Sequence, residues 1–176
     1  CHTDQTPEWS AEHVEAWHPE SEWQPRILRE GELVHAARHG KWERLPAMLD
    51  AIRGGRLDPV VTTSLIRLLG SCPDAAKWPV LRQSLQHASP LVRGAAAVAL
   101  SDDLAAQATR TALFAALDDD YRIVRIQAAT ALNRLPRERI PVSHREAFET
   151  AVTELLTSFN VQPDAWGGHY NEGNFH

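Results

Sequence analysis

Cysteine is nearly absent. Cys1 and Cys72 are the two in the chain, too few for a disulfide-stapled miniprotein or for a zinc module that supplies four cysteines itself. Long apolar runs are missing too. The longest, Ala95 to Leu100, falls far short of the roughly 20 residues that cross a bilayer as a helix, so no membrane insertion is expected. Lysine occurs only at Lys41 and Lys77, and 18 basic residues against 23 acidic ones leave a net charge of −5. That balance gives no grip on a phosphate backbone, so nucleic acid is not an expected partner. No stretch alternates like a strand between hairpin turns. No segment has the form of a signal peptide, and the first residue is Cys1 rather than Met; the chain reads as a fragment of something longer.

Signatures of catalysis are also missing. There is no Gly-x-Ser-x-Gly, no phosphate loop and no dinucleotide fingerprint. His35 and His39 stand at i, i+4, the spacing of zinc-binding helices, but no Glu follows His35 and no His-Glu dipeptide occurs anywhere. Two histidines without a third ligand read as a solvated helix surface. Asp118-Asp119-Asp120 lacks the alternating oxygen ligands, central Gly and distal Glu of a calcium loop, and reads as an inter-helix turn that caps the helix near Tyr121. Cys72, between Ser71 and Pro73 with no nearby histidine, reads as an inert thiol. The expectation is therefore no catalytic residue and no metal site.

What the 176 residues do contain is a repeat, with 43% apolar residues to build its core. Asp58-Pro59-Val60-Val61-Thr62, Ser89-Pro90-Leu91-Val92-Arg93 and Tyr121-Arg122-Ile123-Val124-Arg125 align, their valines 31 and 32 residues apart; Leu49, Leu81 and Leu113 recur at 32 and 32. Such a period is the mark of stacked supersecondary units. Asp58 and Ser89 are placed to cap helices that open on Pro59 and Pro90, where a missing N–H is harmless. Leu65, Leu68 and Leu69, Leu81 and Leu85, and Leu113 and Leu117 mark helical faces. Ala95, Ala96, Ala97, Ala99, Ala128, Ala129 and Ala131 let helices approach closely. Each unit is a helix pair, and the pairs stack into an all-α solenoid.

Ser89-Pro90-Leu91-Val92-Arg93-x-Ala95-Ala96-x-x-Ala99-Leu100 and Val124-Arg125-x-x-Ala128-Ala129-x-Ala131-Leu132 resemble the second helices of HEAT repeats. The likeness runs over roughly residues 41 to 135 and implies a right-handed α-solenoid of HEAT-like helix pairs. The sequence departs at Thr62, where the family prefers Arg, and at Tyr121-Arg122, where it prefers Asp-Pro. Arg93 and Arg125 fall at equivalent repeat positions, as an interaction surface or a repeat ladder. They could line an anion groove or pair with acidic loop residues such as Asp102, Asp103 and Asp119, and the second role is favoured.

The N-terminal stretch, Cys1-His2 followed by Thr6-Pro7, Trp9, Val14 and Trp17, resembles part of certain bacterial multihaem c-type cytochromes. There a Cys-x-x-Cys-His motif runs into such a helix, with HEAT-like and then tetratricopeptide repeats behind it. The resemblance implies an extracytoplasmic, periplasmic parent in which Cys1 and His2 end a haem-attachment motif. This chain, with no first cysteine, carries no cofactor; haem c belongs to the full-length parent. The alternative is that Cys1 is an arbitrary boundary and His2 an ordinary exposed residue. Thr6 and Pro7 start a helix whose Trp9, His13 and Trp17 share a face, and these aromatics are expected to dock it on the solenoid. Asn171-Glu172-Gly173-Asn174-Phe175 resembles half a tetratricopeptide repeat, with Glu172 where Leu is preferred.

The expected organisation is an N-terminal helix and loop over 1–25, a solenoid over 26–160 with a long last helix from Ser143 to Phe159, and a tetratricopeptide start over 161–176. The expected function is a noncatalytic scaffold or protein-interaction module, a segment of a larger cytochrome-like protein, bound to a protein partner or to other domains of its own chain. Two alternatives remain. One is an electron-transfer cytochrome with His2 as axial haem ligand. The more distant one is a HEAT-type enzyme or DNA-binding protein such as the alkylpurine glycosylases, which the acidic charge disfavours.

Overall fold

A computed structural model describes residues 3–19, 21–159, 167, 170 and 173. Cys1, His2 and most of the segment read as a tetratricopeptide start lie outside them. All the regular secondary structure of the described residues is helical, and they form two compact units, Cys1–Glu32 and Leu33–His176. In chain order the helices are α1 (Pro7–Trp17), α2 (Gln24–Arg38), α3 (Leu45–Arg53), α4 (Pro59–Leu68), α5 (Lys77–Ser84), α6 (Pro90–Ala99), α7 (Gln107–Ala115), α8 (Arg122–Leu132) and α9 (Val142–Phe159).

In the first unit, Thr6 caps α1 by accepting from the Trp9 N–H at 3.2 Å. Its aromatics pack on one another. The rings of Trp9 and His13 lie 4.0 Å apart and those of His13 and Trp17 meet edge-on at 6.1 Å, while Trp17 is 69% exposed.

The second unit is the α-solenoid that the repeats foretell. Gly40, at φ 65°, turns the chain out of α2, a backbone state that a side chain would strain. From there the helices alternate. First helices α3, α5 and α7 carry Leu49, Leu81 and Leu113, all buried; second helices α4, α6 and α8 carry Val61, Val92 and Val124 at the third helical position. The closest packing runs α4 to α6 to α8, and α9 closes on α8. Val92 and Val124 are fully buried, whereas Val61 is half-buried because α4 opens the row and has one second-helix neighbour.

Register decides the core more than residue type does. Leu69, Leu100 and Leu132 are equivalent and each is fully buried, a state that stabilises by about 1.5–3 kcal/mol per leucine. Leu65 aligns with Ala96 and Ala128, and Ile66 with Ala97 and Ala129; all six are fully buried. Where the two alanine-bearing helices meet, small side chains let backbones close up. One cap differs from expectation. Asp58 Oδ1 accepts from the Val60 N–H at 2.8 Å, but Ser89 makes no side-chain cap. Instead its own N–H donates to His87 Nδ1 at 3.0 Å.

Candidate functional site

Arg93 and Arg125 sit at the fourth position of α6 and α8, one turn in, so each side chain swings back over the turn that precedes its helix. Arg93 Nη1 donates to the carbonyls of His87 and Ala88 at 2.8 and 3.0 Å. Arg125 Nη1 does the same to Asp119 and Asp120 at 2.9 and 3.2 Å. In both cases the acceptors lie six and five residues back, so one guanidinium edge ties each helix to its own turn.

The other edge points to the next repeat. Arg93 donates from Nε and Nη2 to the two carboxylate oxygens of Asp119 at 2.7 and 2.8 Å. Arg125 donates from Nε to Glu154 Oε2 at 3.0 Å and from Nη2 to Glu154 Oε1 on α9. Asp119 thus takes Arg93 on its side chain and Arg125 on its backbone. A continuous chain of charge-assisted bonds runs Arg93–Asp119–Arg125–Glu154 across three successive helical layers. Planar guanidinium suits this better than ammonium, because two parallel N–H groups match a carboxylate.

Asp119 also accepts from the Tyr121 N–H at 2.9 Å, which closes the inter-helix turn, but α8 itself has no side-chain cap, contrary to the expectation for the acidic run. The Arg93 hydrogen bond holds the Asp119 carboxyl below the usual aspartate range, against its partial burial; the Tyr121 N–H and the charges of Arg93 and Arg125 add to the effect. Reciprocally, Asp119 raises Arg93 and Glu154 raises Arg125 above the ordinary arginine value. The Arg93 guanidinium also lies 5.3 Å from the Tyr121 ring centroid.

Asp102 and Asp103, the other loop acids considered for these arginines, pair elsewhere. Asp102 meets Arg134 at 2.7 Å on the surface, and Asp103 accepts from Arg82 at 3.1 Å beside Thr109. Their sequence proximity to the repeat motif gave no sign of this, since Arg82 comes from α5 and Arg134 from the turn after α8.

Lys77 was passed over in the sequence and is buried, 3% exposed. Its Nζ donates to the carbonyls of Leu69, Gly70 and Cys72 at 2.9, 3.3 and 2.5 Å. The signal that could have found it is register. Lys77 aligns with Leu45 and Thr109, two other buried residues.

The rings of His35 and His39 lie 4.1 Å apart and tilted by 32°, and His39 Nδ1 bonds the His35 carbonyl at 2.8 Å; both are exposed. Among the described residues no three His, Cys, Asp or Glu side chains are grouped to hold a metal ion. Cys72 is a free, buried thiol. No described helix is long and apolar enough to cross a membrane. A shallow cleft of about 450 Å³ opens between the turns of the second and third repeats, bordered by Gln86, His87, Arg93, Asp118, Asp119 and Asp120. Asp118 and Asp120 form no ion pair there among the described residues.

Against known proteins, the family model described as HEAT repeats matches residues 45–133, from the start of α3 to the end of α8. No curated protein and no solved structure matches the chain.

Proposed function

The chain belongs to the HEAT-repeat family, and from that premise we propose that it is a noncatalytic scaffold that fixes the spacing of whatever its two ends hold. The observation that carries this reading is the Arg93–Asp119–Arg125–Glu154 chain, which clamps the second repeat to the third and the third to α9. In a solenoid each unit contacts only its neighbours, so stiffness is set joint by joint. Site-directed spin labels at residues 39 and 157, in a Cys1→Ser background, test it. A narrow distance distribution is expected, broadened by Asp119→Asn; a broad distribution in the parent overturns the reading.

The finer proposal places the scaffold in a larger periplasmic protein resembling multihaem c-type cytochromes. Its organisation would be 1–25, 26–160 and 161–176, with haem c in the parent and a protein or neighbouring domains as partner. What supports it is the Cys1-His2 pair ahead of Thr6-Pro7, Trp9, Val14 and Trp17. The residues of this chain do not by themselves fit the haem. Attachment through two thioethers needs a second reachable thiol, and Cys72 is buried in the core. The competing electron-transfer reading, with His2 as axial ligand, rests on the same pair. A cysteine three residues before Cys1 in the parent gene supports both; any other residue there removes both and leaves the scaffold.

A further inference from the structure

The N-terminal unit, Cys1–Glu32, carries more than the whole net charge of the chain. It holds eight acidic residues against Arg26 and Arg29, a net charge of −6, where the full sequence has −5. It also leaves large apolar side chains in water. Trp17, which ends α1, is 69% exposed, and Trp23, which precedes α2, is 71% exposed; Ile27 and Leu28 follow at 55% and 56%. Single exposed apolar residues are ordinary, but exposed tryptophans in an acidic setting are the material of a binding site, since indole offers a large, rigid face.

The turn between the two helices assembles that material. The Ser21 N–H donates to the His18 carbonyl at 3.1 Å, and Ser21 Oγ accepts from the Gln24 N–H at 3.2 Å. The Trp23 carbonyl then takes the Ile27 N–H at 3.0 Å, so Trp23 and Ile27 stand one helical turn apart on the same side. An open cavity of about 570 Å³ results, lined by His18, Pro19, Ser21, Glu22 and Trp23. Among the described residues the Trp23 ring has no aromatic or cationic partner, and the exposed Glu22 carboxylate has no hydrogen-bond or ion-pair partner. The cation nearest in sequence, Arg26, lies 3.7 Å from Glu30 instead. Arg29, six residues after Trp23, falls on another side of α2.

We propose that this cavity receives an arginine side chain from an arginine-rich segment of a protein partner, with Trp23 as its stacking face and Glu22 as its counter-charge. The proposal names what one end of the scaffold holds and rests on that reading. A flat indole beside a carboxylate suits guanidinium, which stacks through its plane and pairs through its edge; an ammonium is a point charge and uses the two together less well. Ile27, on the same side as Trp23, takes an apolar neighbour of that arginine. The excess negative charge of the unit draws a basic segment in and speeds its association. The same charge repels nucleic acid, anionic lipid and a second copy of the unit.

The test uses the full chain, fluorescence anisotropy, and a labelled peptide of three Arg-Leu-Gly units with twins carrying Lys or Glu in place of Arg. The Arg peptide should bind more tightly than the Lys twin, and the Glu twin should not bind. Trp23→Ala should weaken the Arg peptide about tenfold, and Glu22→Lys should weaken it at least as much. Glu43→Gln, at an exposed carboxylate of the solenoid, should leave it unchanged. Because Glu22 and Trp23 are exposed, their variants should keep the parent melting temperature, which separates lost binding from lost fold. A Lys or Glu twin that binds as tightly as the Arg peptide, Arg-peptide binding indifferent to Trp23→Ala or Glu22→Lys, or tighter binding to phosphatidylcholine vesicles overturns the proposal. Absence of peptide binding alongside a narrow 39–157 distance overturns this site alone and leaves the scaffold standing. Peptide binding alongside a broad distance overturns the scaffold alone.

Discussion

Arg93 crosses from one repeat to the next and closes a two-pronged bond on Asp119, with N···O distances of 2.7 and 2.8 Å and both side chains 13% exposed. Arg134 and Asp102 make a comparably short contact at 2.7 Å with both side chains more than half exposed. Burial, not distance, separates the two. A half-buried, charge-assisted, bidentate pair keeps most of its attraction, whereas an exposed pair is screened by water and salt and typically contributes about 0–1 kcal/mol.

The first prediction follows from that contrast. Asp119→Asn should cost about 1.5–3 kcal/mol at neutral pH, and Asp102→Asn less than about 1 kcal/mol. The sign of the pH effect is fixed by the lowered Asp119 carboxyl. Its contribution is fully present above the ordinary aspartate value of 3.8 and is lost as pH falls through the still lower folded value. Denaturant melts should therefore show the Asp119→Asn penalty shrinking below that value. A penalty equal to that of Asp102→Asn, or one that grows in acid, would contradict the role given to the pair.

The second prediction concerns the joint where the chain of pairs is missing. Thr62 occupies the register of Arg93 and Arg125, and His87 occupies the register of Asp119, six residues before the arginine position. His87 already accepts from the Ser89 N–H as Asp119 accepts from the Tyr121 N–H. Installing Thr62→Arg alone should destabilise, because Thr62 is buried and an arginine there has no carboxylate. Adding His87→Asp should recover stability, with a favourable coupling on the order of 1–2 kcal/mol in a double-mutant cycle. Simple additivity of the two changes would show that the two joints are not built alike.

How much of this was legible beforehand differs by link. Helix pairing, stacking and the core register followed from the recurrence of Val61, Val92 and Val124, because a periodic apolar pattern has few ways to be buried. The Arg93–Asp119 pair was one of several open pairings for Arg93. Glu154 was out of reach, since it sits on α9, outside the repeat, where no periodicity points to it. Lys77 was hidden for the opposite reason. The pattern demands burial at its register, and a lysine reads as surface until its ammonium is seen among three carbonyls. Val60, Leu91 and Ile123, exposed to solvent, were in the aligned motif all along, but an alignment cannot tell which of two adjacent apolar positions faces water.

The third prediction separates packing from surface. Ala96 and Ala129 are fully buried at helix–helix contacts, though not at the same register. Enlarging Ala96 to Leu should overpack the α6 neighbourhood and cost about 1–3 kcal/mol. His35→Ala and His39→Ala, both exposed, should change the melting temperature little, with or without added zinc. A zinc-dependent stabilisation of the parent that vanishes in either histidine variant would restore a metal site to consideration.

The fourth prediction tests why a buried lysine is tolerated. Leu45, Lys77 and Thr109 share one register, 32 residues apart, at 3%, 3% and 0% exposure. In the first repeat an apolar side chain fills the position. In the third, the Thr109 hydroxyl is bonded within the Arg82–Asp103 pair. In the second, the turn after α4 leaves the carbonyls of Leu69, Gly70 and Cys72 facing inward, and Lys77 supplies three N–H donors to them. Lys77→Met keeps volume and burial but removes every donor. Leu69 retains the Cys72 N–H at 3.0 Å, so the loss should be the cost of the Gly70 and Cys72 carbonyls, about 1–3 kcal/mol. If packing alone governed this register, Lys77→Met would equal or exceed the parent in stability, because desolvating an ammonium is itself unfavourable. Urea melts of Lys77→Met decide between the two, and a variant more stable than the parent would assign the register to apolar packing throughout.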